Sequence, residues 1–303
     1  ALSVGPDGIS LEWLTSNRDA LTISLRVSRV MLALLVGAAL SLAGASLQTV
    51  LRNPLADPYV IGVSGGAALG GSLVVAFSTS LGHAAVSTGA VLGALFASGP
   101  LVWFLERDGA ASPHEALLAG VVFNAFAAAL ITLIKTMLPP ERGYALLFWL
   151  VGSVGYPDGT ALAMVGLCVV VGASVLLLGS GRLELLSLGH DEAARLGVNP
   201  RHTLRLTYLA ASILVGAVIP LTGMIGFVGL VVPHLLRAWV CGDVRLLLPA
   251  SGLFGAAVLV VFDAAARGAF AILGTELPVG ALTALVGGPL FAFTLRRRSR
   301  GPL

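Results

Sequence analysis

The chain has 303 residues, of which 57% are hydrophobic and 11% are charged. Because soluble domains carry about 25% charged residues, this composition excludes an ordinary soluble protein and indicates one that lies in a membrane. The formal net charge is +3, but the chain holds a single lysine, and its arginines stand mostly at the ends of apolar runs. That pattern is typical of membrane topology signals and argues against a basic surface for nucleic acid.

Residues 1–25 form a polar lead-in to the first long apolar run. They start at Ala1 without a methionine and contain no cleavable signal peptide. We expect the lead-in to lie outside the membrane, and we expect one further hydrophobic helix ahead of it in the whole protein.

The rest of the chain predicts an all-α, polytopic membrane helix bundle that forms a single domain over residues 1–303. A helix needs about 20 apolar residues to cross a bilayer. Two apolar segments, Tyr144–Gly155 and Ala264–Thr275, are too short and are expected to be half-helices buried at one face. Cutting the sequence at charges and at Gly, Pro and Ser clusters predicts nine crossings: 28–50, 59–77, 84–105, 116–138, 159–179, 204–222, 225–241, 246–263 and 278–295.

The arginine distribution predicts the orientation of the bundle. The tail 296–303 carries four arginines, which favours a cytoplasmic C-terminus. With nine crossings, 12 of the 18 lysines and arginines then lie on the cytoplasmic side. The longest polar passage, 179–205, which contains the loop 180–203, is cytoplasmic in this topology.

Small residues recur every four positions on two of the predicted helices. In lipid, such stripes let helix backbones approach closely. A phosphate-binding glycine loop would need a preceding strand in a soluble setting, which the pattern lacks. The stripes are therefore interpreted as packing faces: Gly37, Ser41, Ala45 and Thr49 on one helix, and Gly62, Gly66 and Gly70 on the next.

The sequence contains no motif that indicates catalysis, nucleotide binding or metal binding. It contains no P-loop, no metal-ligand spacing of Cys or His, and no nucleophile–base pair. We therefore expect no catalytic residue, no bound metal and no cofactor on this chain, and we do not expect an enzyme. Gln48 and Asn124 are polar residues near the middle of predicted spans, where each could form an interhelical hydrogen bond or contact a transported molecule.

The polar passage has its own helical pattern. Asp191 and Glu192 open a short helix, where the helix dipole favours acidic residues. Gly197 ends that helix in a left-handed conformation, and Val198-Asn199-Pro200 turns into a second helix. Such a helix–turn–helix could pass a rigid-body push to the bundle, and the alternative is a merely solvated loop.

Four blocks of sequence carry a family resemblance: Arg26-Val-Ser-Arg29, QTVLRNPLADPYVIGVSGGAALGG at 48–71, GFVGLVVPHLLRAWVCGDVRLLLP at 226–249 and ELPVGALTALVGGP at 276–289. They resemble the FecCD-type permeases, the membrane subunits of bacterial ABC importers for iron–siderophore complexes, haem and cobalamin. The match runs from about Arg26 to Arg298 in the family's order. The family has ten helices, so the resemblance implies that the first is missing from the nine seen here.

The resemblance implies a homodimer in the bacterial inner membrane around a central path for a metal chelate. It implies two cytoplasmic ATPase subunits, which bind ATP and Mg, and a periplasmic binding protein that receives the chelate on the outer side. Ferric siderophore, haem and cobalamin all stay open, with iron chelates favoured as the commoner cargo. The alternative is a stand-alone secondary transporter or channel for a small apolar solute.

The resemblance also implies three sets of site residues. The periplasmic set, expected to dock the binding protein, is Arg26, Arg29 and Arg267, for which headgroup anchoring is the alternative. The translocation gate is expected around Ser112, Pro113 and His114, where the family has small polar residues and this chain departs with Pro and His. The ATPase-coupling set is Asp191, Glu192, Ala193, Ala194, Arg195, Leu196, Gly197 and Val198.

Overall fold

The computed structural model describes residues 4–5, 8–9, 20–59, 62–77, 83–107, 113–237, 239–240 and 242–298. Within these ranges the regular secondary structure is helical apart from one pair of two-residue antiparallel strands near the start of the chain. The elements in chain order are β1 Val4–Gly5, β2 Gly8–Ile9, α1 Ala20–Val50, α2 Val63–Phe77, α3 His83–Arg107, α4 Pro113–Met137, α5 Pro140–Val151, α6 Gly159–Leu178, α7 Ser180–Leu188, α8 His190–Arg195, α9 Pro200–Thr222, α10 Val228–Arg237, α11 Val244–Gly268, α12 Phe270–Leu273 and α13 Val279–Arg298. The predicted all-α bundle is confirmed.

Helices in the described ranges overlap all nine predicted crossings. Five of them, in α1, α4, α6, α9 and α11, are long and apolar enough to cross a membrane alone, and shorter apolar stretches lie in α2, α3, α10 and α13. The crossing predicted at 225–241 is different from expectation, because its helix α10 has ten residues. Ten residues rise about 15 Å, half the thickness of the hydrocarbon core. The segment just before α10 is not helical, and Gly223 and Phe227 in it have positive φ, of +66° and +68°.

Helix α1 is the central element of the bundle. It packs against α6, α7, α9, α10 and α11, and 72% of its membrane-spanning stretch is buried. Helix α4 is at the opposite extreme, with 11% of its spanning stretch buried. A helix that is apolar all round and mostly uncovered must face lipid or another protein chain.

Close backbone contacts confirm the predicted packing stripes. A Cβ added at Gly37 would lie 2.2 Å from the carbonyl oxygen of Gly255 on α11. On α2, a Cβ at Gly66 would lie 2.3 Å from the carbonyl oxygen of Gly93, and one at Gly70 would lie 2.1 Å from that of Gly89. No side chain larger than hydrogen fits at these positions, so the helices meet backbone to backbone.

Irregular segments inside the bundle satisfy one another's backbone groups. The amide of Ser153 donates to the carbonyl of Thr222 at 2.7 Å, and the amide of Gly280 donates to the carbonyl of Gly152 at 2.9 Å. A third bond joins the Trp149 indole Nε1–H to the carbonyl of Pro220 at 3.1 Å. These bonds replace the helical partners that the breaks remove, as a water-free environment requires.

The two predicted half-helices have different bounds in the structure. The half-helix expected at 264–275 is mostly a continuation of α11 to Gly268, and only Phe270–Leu273 forms a separate turn. The ion pair between Asp263 and Arg267, at i and i+4, favours that continuation. Helix α1 begins at Ala20, inside the predicted lead-in 1–25. The other half-helix is observed as α5, four residues earlier than predicted.

Candidate functional site

One end of the bundle carries a cluster of charged side chains from four segments. The Asp263 cluster consists of Arg29, Tyr156, Asp263, Arg267 and Glu276. Arg29 Nε donates to Asp263 Oδ1 at 3.0 Å, and Arg267 Nε donates to Asp263 Oδ2 at 3.1 Å. Arg29 Nη1 donates to Glu276 Oε2 at 3.0 Å and to the Tyr156 hydroxyl at 2.8 Å.

The centre of the Asp263 cluster is closed to solvent. The side chains of Arg29, Asp263 and Arg267 are 4%, 1% and 5% exposed, whereas that of Glu276 is 39% exposed. The guanidinium carbon of Arg29 also lies 4.9 Å from the centre of the Tyr156 ring. Buried charges are tolerated when they are paired and hydrogen-bonded, and here two cations share two carboxylates.

This geometry bears on the arginines predicted to dock a binding protein. Arg29 and Arg267 direct their guanidinium groups at internal carboxylates, while Arg26, one turn earlier on α1, is partly exposed. Docking by the three together stays a prediction, and the structure gives Arg29 and Arg267 internal partners. Asp263, Glu276 and Tyr156 were not predicted from the sequence as members of one site. The spacing of Asp263 and Arg267 predicts one of the ion pairs, but no local pattern predicts that Arg29 pairs with Asp263.

The other end of the bundle carries the polar passage as helices α7 and α8. Leu183, Leu186 and Ala193 are buried, which anchors the passage against the bundle, while Asp191 and Glu192 are exposed. Helix α7 contacts α1, α9 and α11. The passage is therefore packed firmly on one side and presents charged groups on the other.

The end of α8 has the left-handed stop that the sequence predicts. Gly197 has φ of +83°, and its amide donates to the carbonyl of Ala194 at 3.0 Å. The amide of Val198 donates to the carbonyl of Ala193 at 2.9 Å, which completes a Schellman motif. Asn199 then caps α9, with its Oδ1 accepting from the amide of His202 at 3.2 Å. The coupling role of Asp191–Val198 is a separate question and stays a prediction.

The two polar residues predicted inside spans both bond to backbone carbonyls of other segments. Gln48 is 2% exposed, and its Nε2 donates to the carbonyl of Leu230 at 3.1 Å. Asn124 Nδ2 donates to the carbonyl of Tyr59. Of the predicted gate, Ser112 lies outside the described residues, and Pro113 and His114 open α4 without described side chains.

The turn between α1 and α2 is held by side chains of its own sequence. Asn53 Oδ1 accepts from the amide of Leu55 at 2.8 Å, and Asp57 Oδ1 accepts from the amide of Tyr59 at 2.8 Å. The Tyr59 hydroxyl accepts from the amide of Ile225 at 2.7 Å, which ties the turn to the break before α10. Asp57 is 5% exposed, and burial raises the pKa of its carboxyl to about 6.

Known proteins share the sequence pattern and the fold of this chain. The sequence pattern of the FecCD transport family matches residues 2–297, nearly the whole chain. The chain belongs to the FecCD transport family. It is thus a multi-pass membrane protein of a transport family, as its composition and apolar helices indicate.

Two relatives have nearly the same sequence identity to this chain. The hemin transport system permease protein HmuU of Yersinia pestis is 36% identical over 293 residues, which cover 94% of this chain and 87% of HmuU. The Fe(3+) dicitrate transport system permease protein FecC of Escherichia coli K12 is 37% identical over 287 residues, which cover 92% of this chain and 84% of FecC.

A solved transporter structure has the same fold as this chain. A transporter described as of the metal-chelate ABC type, in an inward-facing conformation, superposes with a TM-score of 0.85 at 31% identity. The superposition covers 98% of this chain and 94% of that one. The likeness therefore extends over both ends of the bundle.

Proposed function

We propose that this FecCD protein is the membrane-spanning permease subunit of an ABC importer that carries a metal chelate into the cytoplasm. The observation that carries the proposal is the whole-length likeness to a metal-chelate type ABC transporter, at a TM-score of 0.85. The FecCD match over residues 2–297 and relatives named for haem and ferric dicitrate transport support the same class of cargo. Ferric chelates are favoured, and haem and cobalamin are the other candidates.

The two ends of the bundle have different proposed partners. In the orientation that the arginines favour, the end with α7 and α8 faces the cytoplasm of a bacterial cell, and the C-terminus lies on the same side. An ATPase subunit, with its ATP and Mg, docks on the exposed charges of α8. From Arg29 to its end at Val50, helix α1 rises about 32 Å at 1.5 Å per residue, so a displacement at one end reaches the other.

The exposed apolar surface of α4 supports a homodimer, in which a second copy of the chain covers this helix. Its side chains Leu118, Val122 and Phe126 are 65%, 62% and 59% exposed, and Met137 at its end is 76% exposed. Two copies that face each other through α4 would enclose an apolar path between them. The path opens alternately outward and inward as the ATPases close and reset.

The end with the Asp263 cluster is the proposed side for the periplasmic binding protein. Arg26 offers its positive charge to acidic groups there, and Arg29 and Arg267 hold the surrounding helices in place through Asp263. Exposed ion pairs are worth about 0–1 kcal/mol each, so such contacts would set orientation and on-rate more than affinity.

The proposal is tested by reconstitution. Partners are identified by co-purification with the tagged chain, and proteoliposomes are then loaded with the chain, its ATPase and its binding protein. With Mg-ATP, they should accumulate a ferric chelate, haem or cobalamin. Liposomes that hold the chain alone should accumulate none of them, with or without an ion gradient. Gradient-driven uptake by the chain alone would establish a secondary transporter and overturn the proposal.

A further inference from the structure

Tyr59, in the turn between α1 and α2, is hydrogen-bonded to three different segments of the chain. Its backbone amide donates to Asp57 Oδ1 at 2.8 Å, within the turn. Its backbone carbonyl accepts from Asn124 Nδ2 on α4. Its hydroxyl accepts from the amide of Ile225, in the break between α9 and α10, at 2.7 Å. A single residue therefore connects the turn, α4 and the break.

The bonds of Tyr59 join parts of the bundle that pack mainly against other helices. Helix α4 packs against α2, α3 and α5, whereas α10 packs against α1, α11 and α13. Helix α4 also borders the proposed path between two copies of the chain. Tyr59 bonds to α4 and to the break before α10, so the two groups of helices are held to the same residue.

The break between α9 and α10 has the features of a hinge. Gly223 and Phe227 have φ of +66° and +68°, and Phe227 is not a glycine. A non-glycine residue held at positive φ is strained, and hinges are a few loop residues that absorb changes of backbone angle. Ile225 lies between them and is 0% exposed, so the Tyr59 hydroxyl satisfies a buried amide in the middle of the break.

The break also contacts α13 closely. A Cβ added at Gly287 on α13 would lie 2.6 Å from Phe227 Cβ. A Cβ added at Gly280, near the start of the same helix, would lie 2.8 Å from the carbonyl oxygen of Met224. Packed interiors transmit displacements because they contain little free space. A change of backbone angles in the break must therefore displace α13.

The turn lies beside the polar passage. Arg52 Nη1 would lie 3.8 Å from a Cβ added at Gly189, the residue between α7 and α8. In the proposed orientation this is the cytoplasmic end of the bundle, on which the ATPase docks. A displacement of α7 and α8 therefore reaches the turn, and Tyr59 connects the turn to α4 and to the break.

We propose that Tyr59 is a positioning residue of the transport cycle, through which the turn moves α4 and the break before α10 as one unit. This inference rests on the proposed function, because it needs an ATPase that acts on the polar passage. The hydroxyl supplies the bond to the break, and the carbonyl supplies the bond to α4. Without the hydroxyl, the ATPase should continue to cycle while the break no longer follows it.

Tyr59→Phe removes the hydroxyl and keeps both backbone bonds. In proteoliposomes with the ATPase and the binding protein, ATP hydrolysis should stay within about twofold of wild type, and uptake for each ATP should fall at least fivefold. The probe is whichever of ferric dicitrate, haem and cobalamin the wild type accumulates. Tyr208→Phe is the matched control, because Tyr208 is 0% exposed and its hydroxyl has no hydrogen-bond partner in the described structure. Its uptake for each ATP should equal that of wild type.

Hydrogen exchange measures the coupling without a transported probe. In the wild-type complex, trapping the ATPase with Mg-ATP and vanadate should change amide exchange at 223–227 at least fivefold. In Tyr59→Phe the same treatment should change it less than twofold. A static structural bond would raise exchange in the variant but leave its response to trapping intact, and that result would overturn the proposal.

Asn124→Leu tests the second bond and decides the proposal if Tyr59→Phe does not fold. It removes the donor to the Tyr59 carbonyl, so uptake for each ATP should fall at least fivefold at every concentration of loaded binding protein. Recovery at high concentration would assign Asn124 to contact with the transported molecule and overturn its part in the linkage.

Two failures can be told apart. Equal decreases of uptake and ATP hydrolysis in Tyr59→Phe, or an equal effect of Tyr208→Phe, would overturn the role of Tyr59 while leaving the transport function intact. Absence of ATP-driven uptake by the wild type would instead count against the proposed function itself.

Discussion

Arg29 and Asp263 are separated by 234 positions in the sequence, yet Arg29 Nε donates to Asp263 Oδ1 at 3.0 Å with both side chains buried. Asp263 also accepts from Arg267, so a single carboxylate joins α1 to α11 and neutralises charge on both helices. The cluster therefore fixes the ends of two helices that already pack along their lengths.

Asp263→Asn should destabilise the protein strongly. The substitution keeps the shape of the side chain but leaves two buried arginines with Glu276 as their only carboxylate in the described cluster. Removing one partner of a buried ion pair costs about 3–5 kcal/mol. The measurement is the unfolding free energy or melting temperature in detergent.

Glu276→Gln is the matched control for that variant. It removes a carboxylate from the same cluster, but the Glu276 side chain is 39% exposed, so the expected cost is below about 1 kcal/mol. If Asp263→Asn and Glu276→Gln melt together, the buried pairing contributes little to stability.

Arg26→Glu should weaken binding-protein docking without unfolding the permease. Arg26 is partly exposed, whereas Arg29→Glu and Arg267→Glu would each place a carboxylate beside buried Asp263. Binding-protein capture by Arg26→Glu is measured in a pull-down, with the melting temperature recorded in parallel. Unchanged capture with unchanged melting would assign Arg26 to headgroup anchoring.

Gly44→Ala should separate α1 from α10. The added Cβ would lie 1.9 Å from the carbonyl oxygen of Gly229, so one backbone must move by more than an ångström. Overpacking of this kind costs about 1–3 kcal/mol. Gly99→Ala on α3 is the control, since a Cβ there meets nothing within 4 Å and alanine favours the helix by up to about 1 kcal/mol. The two melting temperatures should shift in opposite directions.

Asp57 makes stability fall as pH rises between about 4 and 6. Burial raises its pKa from 3.8 to about 6, so the folded state holds the proton more tightly than the unfolded state does. The stabilisation is complete below pH 3.8 and is lost as pH rises through 6. The full shift corresponds to about 3 kcal/mol.

Asp57→Asn keeps the Oδ1 acceptor for the Tyr59 amide and removes the titration. Its melting temperature minus that of the wild type should be smallest near pH 4 and largest above pH 6. Asp57→Ala, which loses the acceptor, should melt below Asp57→Asn at every pH. A difference that does not change with pH would mean that Asp57 is ionised without penalty in the folded protein.

Gly197→Leu should impair capture and stimulation of the ATPase. A side chain at Gly197 has open space, but φ of +83° strains any other residue there, and the leucine would project from the proposed docking surface. Gly274→Leu is a matched control, because Gly274 also has positive φ, at +69°, and open space around it. ATPase capture should fall for Gly197→Leu alone. Normal stimulation in that variant would remove Gly197 from the coupling surface.

Much of the architecture follows from local sequence rules. Apolar length located the helices, the small-residue stripe on α1 located Gly37 on a packing face, and Gly197 marked the end of α8. These features depend on residues that are close along the chain or on repeats within one helix.

Contacts between segments that are distant in the sequence could not be predicted from local rules. The Asp263 cluster joins residues from four segments, and each member alone is only a polar residue near a helix end. The same limit applies to the break before α10, where the amide of Ile225 donates to the Tyr59 hydroxyl 166 positions away.

The glycine contacts of α1 have a thermodynamic consequence. Gly37 meets Gly255, and Gly44 meets Gly229, so α1 touches α11 and α10 through main-chain atoms. A glycine has no side-chain rotamers to lose, whereas a buried leucine gives up about 0.5–1 kcal/mol of conformational freedom. The central helix of the bundle is therefore seated at these contacts by dispersion between backbones, at no side-chain entropic cost.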